Sequence, residues 1–220
     1  MAVTRISESG RIRIERYIED YIDSGKIAGC SMIVWRGGDE LYTTFKGVQD
    51  LETRRPIARD TIFRVYSMTK PVASVALMML FDRGRFDLDD PVERFLPAFS
   101  GMRIYDPAGF HTPAAGRITI RQLLNHTSGL ILPAFSEHPL RETYVSQGVN
   151  GSRSEGTLAK VIDKLGELPL LFEPGTRWEY SMATDAVGRL VEVIDGRTFD
   201  AFLQDELLGP LGMVDTQFYL

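Results

Sequence analysis

The chain has 220 residues, 44 % of them apolar and 25 % charged, which is enough for a sizeable core and unlike the make-up of a disordered chain. Its 25 basic residues against 30 acidic ones give a net charge of −5, which argues against nucleic acid as a partner, because neutralising phosphates takes a basic surface. One cysteine, Cys30, excludes an internal disulfide and a Cys-rich metal cluster, and no apolar run approaches the roughly 20 residues that span a bilayer. A soluble, cytoplasmic globular protein without membrane association is expected, since no signal-peptide-like stretch follows Met1.

Ile14, Tyr17, Ile18, Tyr21 and Ile22 recur at helical spacing, predicting an amphipathic helix over about 8–24 that stops at Gly25. Cys30–Trp35 and Leu41–Phe45 are rich in strand formers and flank Gly37-Gly38, the pattern of a β-hairpin. Ile62–Tyr66 reads as a short extended segment or bridge. A helix over 68–83, ended by Gly84, is apolar on all sides from Val72 to Phe81 apart from Ser74, as expected of a helix enclosed all round. Asp89 or Asp90 can cap a short helix through Phe95, and Ile118–Asn125 predicts another, followed by a turn at His126–Gly129. Long loops punctuated by Pro113, Pro133 and Pro139 separate these from a surface helix over Glu155–Leu165. A Pro174-Gly175 turn precedes an amphipathic helix over Met182–Ile194, stopped by Gly196, and a last one spans Phe199–Leu208. A lone hairpin is marginal in water, so this one needs further strands or helices as partners.

Ser67 and Lys70 are the most informative pair. Three residues apart on a helix, they share a face, and Pro71 fits only a first turn, which puts Ser67 near a helix N-terminus. Free N–H groups there stabilise a developing alkoxide or oxyanion. Desolvating a lysine favours the neutral amine that a base requires, and serine needs such a neighbour to act as a nucleophile. The same pattern also fits a plain helix start, with Ser67 as its cap and Lys70 reaching solvent. Further on, the Pro174-Gly175 turn delivers Trp178 and Tyr180 ahead of a helix, either as aromatic anchors or with Tyr180 as a proton shuttle.

Three motifs together, Ser67-Met68-Thr69-Lys70, Leu123-Leu124-Asn125-His126-Thr127-Ser128-Gly129-Leu130 and Pro174-Gly175-x-x-Trp178-x-Tyr180-Ser181, resemble the serine β-lactamase and penicillin-binding-protein-like superfamily. The closest likeness is to the class C β-lactamase-like branch that includes family VIII carboxylesterases, and it runs from about residue 10 onward. The resemblance implies an α+β fold, with residues 1–66 as helix and hairpin of its α/β part and 67–220 as the mostly helical region. It implies Ser67 as acylated nucleophile, Lys70 as its activating partner and Tyr180 as proton carrier, with either Lys70 or Tyr180 as primary base. The expected partner is a small-molecule ester or amide, with no cofactor and no metal. The expected activity is that of a carboxylesterase or acyltransferase; a β-lactamase or D-amino-acid peptidase is the first alternative, and an inactive fragment or binding protein the second.

Two departures from the family pattern shape that expectation. The β-lactamases of this branch usually have Asn two residues after the tyrosine; here Met182 stands there, with no donor to offer a substrate amide, which favours a small or apolar ester. Met182 and Trp178 are the candidate substrate-binding residues. The family's third motif, on a C-terminal strand that donates an oxyanion N–H, does not occur before Leu220, so the 220 residues are expected to be the first part of a longer protein. His111, His126 and His138 lack metal-ligand spacing, with His126 expected to fix a turn. Asp87, Asp89 and Asp90 suit turns and caps, and Cys30 suits a buried strand position.

Overall fold

The computed structural model describes residues 5–109 and 111–218, which form two compact units, Met1–Arg64 and Val65–Leu220. The described residues form a mixture of helices and a few strands.

In the first unit, helix α1 (Glu8–Asp23) begins where Ser7 Oγ accepts the Gly10 N–H at 3.1 Å. Strands β1 (Gly29–Arg36) and β2 (Asp39–Gly47) pair antiparallel through the two-residue turn Gly37-Gly38, where both φ angles are positive (61° and 91°). That backbone twist matches the flanking strands and is open to glycine without strain. Helix α1 lies against β2, where Lys46 Nζ meets Glu19 at 2.8 Å and the Tyr42 hydroxyl donates to Glu15 at 3.3 Å. Tyr42 and Thr44 are buried, while Ile33 and Trp35 of β1 stand 42 % and 59 % exposed.

The second unit opens with a 3₁₀ turn at Tyr66–Met68 that runs directly into helix α2 (Thr69–Asp82). Residues 62–65 form no bridge, contrary to the extended reading of that segment. Helix α2 packs on α6 (Ala183–Asp195) through Ala73, Ala76, Leu77 and Leu80. It is not enclosed on every side: Val75 is 47 % exposed, because the packing uses one stripe of a helix that is apolar all round. Residues 92–94 and 97–99 are 3₁₀ turns, and the two-residue strands β3 (Arg103–Ile104) and β4 (Thr112–Pro113) pair antiparallel.

Helix α3 (Ile120–Leu124) carries a capping box, Thr119 accepting the Gln122 N–H while the Gln122 side chain accepts the Thr119 N–H. Helix α4 (Leu140–Ser146) occupies part of what the prolines suggested was a long loop, and α5 (Leu158–Gly166) buries Val161, Ile162 and Leu165 instead of lying on the surface. Beyond α6, α7 (Phe199–Leu203) continues as a wider π turn over Gln204–Leu208. Among the described residues no helix is long and apolar enough to cross a membrane.

The positioning feature is a backbone ladder. Carbonyls of His126, Thr127, Gly129 and Ile131 accept N–H groups of Glu179, Gly175, Leu171 and Met182 at 3.0, 2.7, 2.7 and 3.3 Å. The segment after α3 thus fixes the stretch that carries Tyr180.

Candidate active site

Ser67 sits in the 3₁₀ turn immediately before α2, and Lys70 is one turn on, at the second position of that helix. The turn is entered through Tyr66 in the left-handed region (φ 43°), an uncommon conformation for an aromatic residue that aims the following serine outward. Ser67 is exposed, and its Oγ lies 2.8 Å from Tyr180 Oη. The half-buried Lys70 donates to Ser67 Oγ at 3.4 Å, and its Nζ lies 4.6 Å from the Tyr180 ring centroid. Three side chains named from their motifs therefore meet in one place, within the second unit.

Burial pushes the Tyr180 phenol up, but the Lys70 ammonium and the hydrogen bond with Ser67 outweigh it, and the phenol ionises below its ordinary value. A phenol so poised can take a proton from the serine and give it back.

Met182 does not line this site. It is 1 % exposed, its side chain packed in the core at the start of α6. Met182 is the N-cap of α6, where the chain leaves the extended conformation and its side chain enters the core, so Met182 gives no support for an apolar ester. Trp178 is 63 % exposed, with its ring centroid 6.4 Å from that of Tyr180. On the other contact, Phe135 is 74 % exposed and meets Tyr180 edge-on at 6.2 Å. Nothing in the sequence pattern singled out Phe135, since it sits in a loop between prolines.

Two more groups belong here. His126 stacks at 5.1 Å from Tyr180 and bonds Ser181 Oγ through Nδ1 at 3.1 Å. Burial, assisted by the Lys70 charge, holds its imidazole below the usual histidine range, hence neutral. Asp185, in the first turn of α6, is raised by burial, an effect that the charge of Lys70 only partly offsets. Its signal was available: it is a carboxylate next to the apolar positions Ala186 and Val187 of an amphipathic helix. Among the described residues no three His, Cys, Asp or Glu side chains are grouped so as to hold a metal ion.

Residues 14–220 match the family model described as Beta-lactamase. Esterase EstB of Burkholderia gladioli is 34 % identical over 208 residues, covering 94 % of this chain and 51 % of its own length. Monacolin J acid methylbutanoyltransferase of Aspergillus terreus is 34 % identical over 171 residues, covering 75 % and 40 %. The solved structure of EstCE1, a hydrolase with promiscuous acyltransferase activity, superposes with a TM-score of 0.79 at 32 % identity, over 92 % of this chain and 51 % of that one. The chain spans about half the length of the relatives it matches.

Proposed function

The chain belongs to the Beta-lactamase family, and from that premise we propose that it carries the acylation centre of a serine esterase or acyltransferase. Ser67 is the nucleophile, Tyr180 the proton carrier, and Lys70 the cation that holds both. The observation that supports this is the 2.8 Å contact between Ser67 Oγ and Tyr180 Oη, with Lys70 beside them.

Ser67 gives its proton to the Tyr180 phenolate as Oγ bonds to the ester carbonyl carbon. The tetrahedral adduct breaks its carbon–alkoxide bond, and the departing alkoxide takes that proton from Tyr180. Water, or a second alcohol, next surrenders a proton to the phenolate and attacks the acyl carbon; Ser67 leaves and is reprotonated by Tyr180. A positive charge at Lys70 stabilises the phenolate in each half-reaction. EstB's name points to hydrolysis and that of the monacolin enzyme to transfer; one acyl-Ser67 serves both.

The exposed rings of Trp178 and Phe135 flank Tyr180 and suit an ester with an apolar acyl or alcohol group. The test is incubation of the full-length protein with p-nitrophenyl acetate and butyrate, with intact mass spectrometry after a serine-directed phosphonate. Turnover with a single adduct on Ser67 is expected; no turnover and no adduct overturns the assignment, and preferential turnover of nitrocefin moves it to β-lactams.

A further inference from the structure

We infer that His126 is a positioning residue for Tyr180: its imidazole, clasped to Ser181 and laid against the phenol ring, holds the phenol oxygen on Ser67. This rests on the role given to Tyr180 above and extends it to a residue whose sequence context suggested only a turn.

Helix α3 ends in a Schellman arrangement, with the His126 N–H on the Leu123 carbonyl at 3.3 Å and the Thr127 N–H on the Gln122 carbonyl at 2.9 Å. The residue in the left-handed position of that motif is normally glycine, and here it is His126 at φ 59°. A side chain there is disfavoured by about 1 kcal/mol. A turn alone needs no imidazole, and glycine would make it with less strain.

The imidazole makes the contacts that offset this. Ser181, 1 % exposed, accepts the Ala183 N–H at 3.4 Å, and its hydroxyl shares a hydrogen bond with His126 Nδ1 at 3.1 Å. His126 also accepts the Glu179 N–H through its carbonyl at 3.0 Å. Residues 179 and 181 are therefore both tied to His126, and the intervening Tyr180 ring lies 5.1 Å from the imidazole. Trp178 closes the group edge-on at 6.2 Å. One residue thus braces Tyr180 from its face and from both chain neighbours. Because burial and, after it, the Lys70 charge both disfavour the imidazolium, the bracing form is the uncharged one.

The decisive variant is His126→Gly, which removes the ring at a position where glycine relieves the backbone. With the full-length protein and p-nitrophenyl butyrate, kcat is expected to fall at least 10-fold with KM changed less than 3-fold and the melting temperature retained. His126→Asn, which tolerates the same φ and restores a polar partner for Ser181, should recover part of the loss. Independently of turnover, the ¹³Cζ resonance of Tyr180, assigned by its loss in Tyr180→Phe, should titrate higher in His126→Gly than in the parent, because the phenol is no longer held against Ser67 and Lys70. Unchanged kcat together with an unchanged Tyr180 titration overturns the inference. An active Tyr180→Phe enzyme would instead remove the catalytic reading, while leaving the titration as the test of positioning.

Discussion

Ser67 Oγ and Tyr180 Oη lie 2.8 Å apart although 113 positions separate their residues, and the two ends of that contact are held by unrelated means. Ser67 is set by a left-handed Tyr66 and a 3₁₀ turn, whereas Tyr180 is set by backbone bonds to the segment after α3. A change can therefore disable one end and leave the other in place.

Replacing the reacting groups should separate their roles. Ser67→Ala is expected to abolish phosphonate labelling with little change in melting temperature, since the exposed hydroxyl supports no core packing. Lys70→Ala and Tyr180→Phe should each lower kcat/KM by about 10²–10⁴-fold, the usual range for groups that move or stabilise protons. Steady-state assays with p-nitrophenyl butyrate check both; near-parental rates in either variant would withdraw that residue's role.

Asp185 should make the fold less stable as pH rises. Burial raises its carboxyl pKa above that of the unfolded chain. Its favourable contribution is thus complete below the ordinary carboxylate range and is lost as pH climbs through the raised value. Asp185→Asn is expected to raise the melting temperature at pH 7, with the gain shrinking at pH 4. Thermal denaturation at the two pH values measures it, and a gain independent of pH would contradict the sign.

Two glycines with similar backbone angles should respond differently to alanine. At Gly129 (φ 86°) an added Cβ would lie 2.4 Å from the Phe172 carbonyl oxygen, so backbone must move; at Gly196 (φ 96°) nothing lies within 4 Å. Gly129→Ala should destabilise by about 3 kcal/mol or more and Gly196→Ala by about 1 kcal/mol. Urea denaturation of each variant distinguishes them.

The Tyr144 hydroxyl, fully buried, donates to the Pro169 carbonyl at 3.0 Å. Burial keeps this phenol protonated far above the usual tyrosine range. Tyr144→Phe leaves a buried carbonyl without that donor and should destabilise by about 1–2 kcal/mol, read from the same urea transitions, with catalytic parameters unchanged.

Long periodic elements were legible in the sequence: α1, the hairpin and α6 follow from spacing, turn glycines and stop signals. Helix α4 was hidden because Pro139, which reads as a loop residue, stands at its N-cap. The pairing of Arg103–Ile104 with Thr112–Pro113 is too short to show any alternation. The widened turn at Gln204–Leu208 comes from a Gly209 N–H bonding to the Gln204 carbonyl, which helical spacing alone does not announce. Within the site, residue type and motif order pointed to Ser67, Lys70 and Tyr180, while the side-chain direction of Met182 depended on where α6 begins. Phe135 left no local signal because its proximity to Tyr180 comes from tertiary packing, whereas Asp185 stands beside apolar positions of the α6 pattern itself.

The four rungs between residues 126–131 and 171–182 are made by peptide groups alone. Apart from Gly129 and Gly175, whose positive φ and close neighbours tolerate no Cβ, side chains along that stretch can be exchanged without altering the register, but its length cannot be changed. Deleting or inserting one residue between Leu171 and Tyr180 would shift the phenol by about 3.5 Å, more than a hydrogen bond can follow. Indels in this interval should therefore inactivate the protein where multiple point substitutions are tolerated.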